Sequence, residues 1–221
     1  MKFLAFSIAI ILSLSSCTTY QFTTLKSDLE KVEGTNNFYY QDSLVRFDFD
    51  FWGQNFPTSI IVENTGDNDL FLDLSRTLFL KNNVIVSDAV PKVQGVISGF
   101  VQDTGNIQAY TETSSSENTV YIPTGKKIEL NYSIFSFPFS KEIRSKSTHV
   151  TERGYVEYTP YIFPQNSAPQ YSIRFYFRNL ETDKEGYAIE CSFWPDMVIT
   201  KSISPKKFEF RGPDAFFTNS K

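Results

Sequence analysis

The stretch Leu44-Val45-Arg46-Phe47-Asp48-Phe49-Asp50-Phe51 (residues 44–51) alternates apolar and charged side chains almost without interruption. Successive side chains of a β-strand point to opposite faces of the sheet, so a period of two predicts a strand with one apolar and one polar face. The apolar face holds Val45, Phe47, Phe49 and Phe51, and the polar face holds Arg46, Asp48 and Asp50. Residues 44–51 therefore predict a half-buried strand.

Stretches of the same kind, separated by turn-forming residues, continue on both sides of this strand. They predict strands over 20–25, 59–63, 70–74, 78–80, 84–86, 119–122, 127–135, 171–178, 187–193 and 197–203. Turn formers at 64–69 and 82–83 predict two hairpins, and those at 123–125 and 183–186 separate further strand pairs. Residues 27–30 also resemble a helix capping box, but we favour a strand at the start of the chain.

Composition agrees with sheets, since 16% of the residues are aromatic, including 22 Phe and 12 Tyr. Long stretches of helical periodicity are absent from the sequence, and aromatic residues favour strands. The sequence predicts an all-β fold, an antiparallel β-sandwich of immunoglobulin-like or jelly-roll-like arrangement. The predicted core residues are Phe47, Phe49, Ile61, Leu72, Leu130, Phe175, Phe177, Ile189 and Cys191.

The N-terminus has the layout of a signal peptide: Lys2, an uncharged apolar stretch over 3–14, and then Ser15-Ser16-Cys17. Together with Leu14, these last residues resemble the lipobox of bacterial lipoproteins. The resemblance implies cleavage after Ser16 and attachment of lipid to Cys17. We expect residues 1–16 to be the signal peptide and 17–221 a single β-sandwich domain.

Thr18 follows the cysteine where retention in the inner membrane is associated with aspartate in the best-studied lipoproteins, so we expect a lipid anchor in the outer membrane. The periplasmic face is favoured because 18–22 lacks an acidic sequence that resembles a surface-export signal, and the cell surface is the alternative. The formal charge is −4 before Lys2 is lost with the signal. This acidic balance argues against nucleic-acid binding.

A second resemblance covers much of the mature chain. It rests on residues 39–47, Phe51-Trp52-Gly53, the turn 64–69 followed by Leu70-Phe71-Leu72-Asp73, Phe79, and Ile122-Pro123-Thr124. These segments are similar to a group of uncharacterised lipoproteins from Gram-negative commensal bacteria, although a second proline expected after Pro123 is missing. The resemblance implies an anchored β-domain and no particular activity.

Residues that could carry chemistry are few. His149 is the only histidine and lies in a polar segment that we interpret as a solvated loop, without the surroundings of a nucleophile elbow. With Cys17 lipidated, Cys191 has no disulfide partner, and its alternating surroundings predict a buried apolar role. No ligand spacing suggests zinc. We expect no catalytic residue, metal site or cofactor.

Three constellations have both a functional and a structural interpretation. Asp48 and Asp50 would lie about 6.7 Å apart along a strand, as in an inverting glycosidase, but a solvated face with Arg46 as charge partner is favoured. Asp67-Asn68-Asp69 could offer oxygen ligands to calcium, yet a plain turn is favoured. Two tryptophans and two tyrosines could form a platform for sugars or peptides, but core packing is favoured. These aromatic residues are Trp52, Trp194, Tyr39 and Tyr40.

Two classes of function remain, and an enzyme is third. The first is a non-enzymatic binding or accessory lipoprotein, monomeric, that presents loops to an envelope protein or a glycan. The second is a structural subunit that assembles through strand edges. The segment 102–118 is long and polar for a connection and predicts a protruding loop.

Overall fold

A computed structural model describes residues 18–87, 119–143, 145–150, 156–164, 167–178 and 186–220. In these residues the chain forms sixteen strands and one short 3-10 helix at Pro205–Lys207. The strands are β1 (Tyr20–Ser27), β2 (Glu30–Lys31), β3 (Phe38–Gln41), β4 (Val45–Asp50), β5 (Thr58–Asn64), β6 (Leu70–Asp73), β7 (Leu78–Lys81), β8 (Val84–Ser87), β9 (Thr119–Ile122), β10 (Lys127–Tyr132), β11 (Lys146–Val150), β12 (Val156–Thr159), β13 (Tyr161–Ile162), β14 (Tyr171–Arg178), β15 (Tyr187–Lys201) and β16 (Ala215–Asn219).

The strands form two main sheets. The large sheet has nine strands in the order β16-β1-β15-β14-β6-β9, with β13 beside β15, β7 beside β14, and β8 beside β7. The small sheet has the order β10-β5-β4-β3-β2, and β11 and β12 form a separate two-stranded sheet. All these strand pairs run antiparallel.

The two sheets face each other across an aromatic core, which we call the inner core. Phe47 of the small sheet stacks on Phe175 of the large sheet with ring centroids 4.3 Å apart, and Phe49 meets Phe193 edge to face at 4.9 Å. These side chains are fully buried. The prediction of an all-β antiparallel sandwich is therefore confirmed.

Eight of the nine predicted core residues are buried, and Ile61 is the exception. In β5 the inward positions are instead Thr58, Ile60, Val62 and Asn64. The apolar sequence Ile60-Ile61-Val62 does not itself indicate which face is inward. Because polar Thr58 and Asn64 are the buried ends of this strand, the choice of face for Ile61 was wrong.

The predicted hairpin around 64–69 is also wrong, although both strands exist. β5 belongs to the small sheet and β6 to the large one, so the turn carries the chain across the sandwich. The Asn64 amide nitrogen donates to the carbonyls of Asn68 and Ile122 at 2.8 and 2.9 Å, and its oxygen accepts from the Gly66 N–H at 3.0 Å. The segment 123–125 crosses between the sheets beside it, from β9 to β10.

The hairpin at 82–83 is confirmed, since β7 and β8 pair around Asn82 and Asn83. Both asparagines have left-handed backbone angles, φ 51° and 62°. A tight two-residue turn that matches the twist of its strands needs φ above zero at both positions, and asparagine tolerates this conformation.

The strands predicted at 187–193 and 197–203 form one strand, β15, so their separation was wrong. Thr24 of β1 is opposite Met197 and Leu25 is opposite Pro195, which leaves Asp196 as an extra residue. Such a bulge lets a strand continue past a proline that would otherwise interrupt it. β1 confirms the predicted strand at 20–25, and residues 27–30 are not helical.

A second aromatic group, the outer cluster, lies on the opposite face of the large sheet. Its buried members are Phe22, Ile199 and Phe208, and Tyr20, Trp52, Met197, Ile203 and Phe217 pack around them. Phe208 stacks on Phe22 with ring centroids 4.0 Å apart. The chain from 202 to 211 thus covers one end of this face.

The described ranges contain no helix long and apolar enough to span a bilayer. The predicted signal peptide 1–16, Cys17 and the predicted loop at 102–118 lie outside the described residues.

Candidate functional site

The carboxylates predicted on the polar face of β4 have separate structural partners. Arg46 binds Asp48 through two hydrogen bonds, Nε to Oδ2 at 3.0 Å and Nη2 to Oδ1 at 2.8 Å. Asp50 instead accepts the backbone N–H of Trp52 at 2.8 Å. Asp48 is thus held by its predicted charge partner, whereas Asp50 binds the backbone.

In the turn 64–69, Asp69 binds the neighbouring crossover between β9 and β10. Its carboxylate accepts from the Tyr121 hydroxyl at 2.6 Å and from the Thr124 N–H at 3.1 Å. The hydrogen bond from Tyr121 is the main reason that the pKa of Asp69 lies below its ordinary value. Within the described ranges, no group of three possible metal-ligating side chains is present.

The four aromatic residues considered as a ligand platform do not come together. Tyr39 and Tyr40 are neighbours on β3, so their side chains point to opposite faces. Trp52 packs on Phe217 in the outer cluster, with centroids 5.6 Å apart. Trp194 lies on β15 opposite Lys26.

Cys191 is fully buried in the inner core, as predicted. Burial raises the pKa of its thiol to about 12, so a thiolate is disfavoured there. The interpretation of His149 as a loop residue was wrong, because its backbone belongs to β11 and pairs with Glu157 of β12. Both strands are short and rich in polar residues, so their sequence does not show a clear alternation.

An open groove of about 530 Å³ lies at the β2 edge of the small sheet, lined by residues 28–30 and 39–42. We call it the acidic groove, because the described residues that line it include three carboxylates and no basic side chain. They belong to Asp28, Glu30 and Asp42.

The groove exists because β2 is short and the chain before it bends away. β2 pairs with β3 only at Glu30–Tyr39 and Lys31–Phe38, so in the described structure no strand pairs with Tyr40 and Gln41 on this side. The Ser27 hydroxyl holds the bend, since it accepts from the Leu29 N–H at 3.1 Å and donates to the Ser192 carbonyl at 2.6 Å.

Asp42 forms one wall of the groove and is fixed by the backbone that follows it. Its Oδ1 accepts the N–H groups of Leu44 and Val45 at 2.8 and 2.9 Å, and its Oδ2 accepts from the Tyr40 hydroxyl at 3.0 Å. Burial, and then this bond to Asp42, raise the pKa of Tyr40 to about 12. The phenol is therefore a neutral donor that supports the carboxylate.

The other tyrosine makes a similar pair on the outer face. The Tyr39 hydroxyl donates to the Glu30 carboxylate, and this hydrogen bond is the main reason that the pKa of Tyr39 is raised. The Arg46 guanidinium lies over the Tyr39 ring, 5.2 Å from its centroid. Each tyrosine thus orients one carboxylate at the groove.

The groove offers fixed hydrogen-bond acceptors and aromatic surface. Acceptors of this kind suit a ligand that brings hydrogen-bond donors or positive charge. Sequence reasoning missed the site because its acidic residues lie on two segments that only the pairing of β2 with β3 brings together. The one local signal is Asp42-Ser43 before a strand, which is typical of a turn in which aspartate accepts backbone N–H groups.

Comparison of the chain with known protein families, with curated proteins and with solved structures finds no match.

Proposed function

We propose that the chain is a lipid-anchored envelope protein that works as a non-enzymatic binding module, and that the acidic groove binds a cationic segment of an envelope protein partner. The observation that supports this proposal most directly is the pair of oriented carboxylates, Glu30 and Asp42, in a groove whose described lining contains no basic side chain. A site of one charge attracts the opposite charge and excludes ligands of its own.

The open edge of β3 adds a reason to favour an extended peptide. Asn37 accepts the Val32 N–H through its backbone carbonyl, while Asp42 donates its N–H to Val45 on the other side. Backbone groups of a strand alternate in direction, so those of Gln41 face the groove. An extended partner can hydrogen-bond to this edge while its cationic side chains reach the carboxylates.

The position of the groove is compatible with the proposed anchor at Cys17. The anchor precedes the first residue of β1, whereas the groove begins at Asp28, directly after its last residue. Eight residues of strand separate the two ends by on the order of 25 Å. A domain anchored in the outer membrane by Cys17, facing the periplasm, would therefore present the groove away from the lipid.

A direct test measures binding of a labelled lysine-rich peptide to the detergent-solubilised full chain by fluorescence anisotropy at low salt. We expect saturable binding that weakens roughly fivefold in the double variant Asp28→Asn/Glu30→Gln, because exposed charge pairs are individually weak. A glutamate-rich peptide of equal length should not bind.

The matched control is Asp67→Asn/Glu142→Gln, which removes the same charge from exposed positions outside the groove. Equal weakening in both double variants would show general attraction to an acidic protein and would contradict a binding site in the groove. If a neutral oligosaccharide binds saturably and the lysine-rich peptide does not bind, the partner is a glycan and not a protein.

A structural role, in which chains assemble through strand edges, is the second candidate. The exposed apolar side chains of β8 favour it. Val84, Ile85 and Val86 are exposed by 66, 50 and 43%, and in the described residues β8 pairs only with β7. An exposed apolar strand edge can pair with a strand of another chain. Sedimentation across a range of concentrations tests this role: assembly that Ile85→Lys abolishes would support it, and a monomer at all concentrations would contradict it.

A further inference from the structure

The segment that covers the outer cluster concentrates positive charge. Between 201 and 211 it contains three lysines and one arginine but a single acidic residue, Glu209, whereas the whole chain is acidic. Lys201 pairs with Glu209 at 3.0 Å. The side chains of Lys206, Lys207 and Arg211 are exposed. Phe208, which lies between Lys207 and Arg211 in the chain, is buried on Phe22 and holds this part of the segment on the outer cluster.

This basic segment lies beside the start of the described chain. The Thr19 hydroxyl is 3.2 Å from the Ser202 hydroxyl, and the Thr19 carbonyl accepts from the Ser220 N–H at 3.1 Å. Tyr20, the next residue, packs in the outer cluster. Cys17 is three residues before Tyr20, a span of at most about 10 Å. Lipid attached to Cys17 would bring the same end of the domain to the bilayer.

Aromatic side chains surround the basic segment. Phe210 is 48% exposed, although it contacts the buried Phe208 at a centroid distance of 5.7 Å. Tyr20 and Trp52 both pack against Phe217 and are partly exposed themselves. Tyrosine and tryptophan are favoured where a protein meets the headgroup layer, because their rings are apolar and their tips are polar.

We propose that this end of the domain, formed by the segment 201–211 with Tyr20 and Trp52, lies directly on the anionic headgroups of the membrane that holds the anchor. The phosphate groups of the lipids attract Lys206, Lys207 and Arg211, and Phe210 enters the boundary between headgroups and acyl chains. The contact fixes the orientation of the domain, with the acidic groove directed away from the negatively charged surface. This inference rests on the proposed lipidation of Cys17.

Depth-dependent quenching of Trp52 provides the test. The lipidated full chain with Trp194→Phe, which leaves Trp52 as the only tryptophan, is reconstituted into vesicles that contain brominated lipid. In phosphatidylglycerol vesicles we expect at least twofold more quenching than in phosphatidylcholine vesicles. The difference should shrink in 0.5 M salt, because salt screens attraction to the surface.

Two adjacent lysine pairs provide matched variants. Lys206→Gln/Lys207→Gln should reduce the quenching in phosphatidylglycerol to the value in phosphatidylcholine. Lys126→Gln/Lys127→Gln removes the same charge from exposed residues at the start of β10, at the other end of the sandwich, and should leave quenching unchanged. Equal loss of quenching in both variants would overturn the inference. The absence of quenching in any vesicle, while mass spectrometry finds lipid on Cys17, would also overturn it and leave the anchor intact.

Absence of lipid on Cys17 would instead overturn the anchor, and the attraction of the basic segment to anionic lipid is then tested without it. The unlipidated full chain is then sedimented with vesicles of each lipid. Each lysine near an anionic surface contributes about fivefold to partitioning, so Lys206→Gln/Lys207→Gln should lower binding to phosphatidylglycerol by about 25-fold. No preference for phosphatidylglycerol, or a dimer that Phe210→Ser dissociates, would show that lipid does not cover this face.

Discussion

Phenylalanine side chains fill two separate places in this molecule, the inner core between the sheets and the outer cluster on the far face of the large sheet. Phe49 and Phe193 are enclosed by hydrogen-bonded strands on both sides. Phe22 and Phe208 are equally buried, but one of the two layers is the largely irregular segment 202–211. Similar burial can therefore depend on very different supports, and the free energy needed to expose each region should differ accordingly.

The largest effect should follow from a cavity in the inner core. Phe49→Ala removes a ring that contacts Phe47, Phe51, Phe175 and Phe193. We expect a loss of about 3–5 kcal/mol in the free energy of unfolding, measured by urea titration followed by circular dichroism. Phe49→Leu, which leaves a smaller cavity, should lose clearly less. A loss below about 1 kcal/mol for the alanine variant would contradict the central position of this residue.

A smaller loss should follow from the same change in the outer cluster. Phe208→Ala removes the ring stacked on Phe22, but the segment 202–211 can relax or detach without separating the two sheets. We expect about 1–3 kcal/mol, less than a core substitution of this type. Phe210→Ala is the matched control, because Phe210 is exposed, and it should change stability by less than about 0.5 kcal/mol. Equal losses for Phe208→Ala and Phe49→Ala would remove the distinction between the regions.

The difference between these regions also explains what the sequence could predict. Alternation in 44–51 indicates one buried face, and the inner core follows wherever a strand obeys this period. In β5 the apolar residues are consecutive, so the inward face depends on the partner sheet, and Ile61 was placed wrongly. The outer cluster was not predicted, because Phe22 is buried only after a segment nearly two hundred residues away folds over it.

The candidate site was beyond prediction for a related reason. Asp42 and its turn can be recognised locally, but the groove needs β2 to stop after pairing with half of β3 and the chain at Ser27 to bend. Likewise, the turn formers at 64–69 indicated a change of direction correctly. They could not indicate that the strand beyond would join the other sheet, since that depends on the pairing of β6 with β14 and β9, which lie far away in the sequence.

Removal of a buried charge at the end of β6 in the large sheet should have an intermediate to small effect on stability. Among the described residues Asp73 is the only buried charged side chain, bound to Arg178 Nε at 2.7 Å and to Ser75. Burial alone would raise the pKa of Asp73, but the hydrogen bonds from Ser75 and Arg178 outweigh it and hold the pKa below its ordinary value. The ionised form is therefore favoured in the folded protein.

Because the pKa of Asp73 is lower in the folded than in the unfolded protein, its ionisation stabilises the fold. This stability is fully present above the unfolded pKa of about 3.9 and is lost as the pH falls through the lower, folded pKa. We expect Asp73→Asn to lower the free energy of unfolding by about 1–2 kcal/mol at pH 7. Urea titrations at pH 7, 5, 4 and 3 should show the difference from wild type unchanged to pH 5 and shrinking below pH 4. A constant difference down to pH 3 would contradict the assignment.

Thiol reactivity compares the accessibility of the two regions within one molecule. Cys191 lies in the inner core, and burial raises the pKa of its thiol to about 12, so it should react with a thiol reagent only after the sheets separate. Met197→Cys, in a Cys17→Ser background, adds a thiol in the outer cluster on the same strand. We expect position 197, which is partly exposed, to react faster than Cys191, with a rate that depends weakly on urea because at most the segment 202–211 has to open. The rate at Cys191 should rise steeply with urea, since it follows global unfolding. Equal rates with equal urea dependence would mean that the outer cluster opens only together with the inner core, and the two regions would then form one cooperative unit.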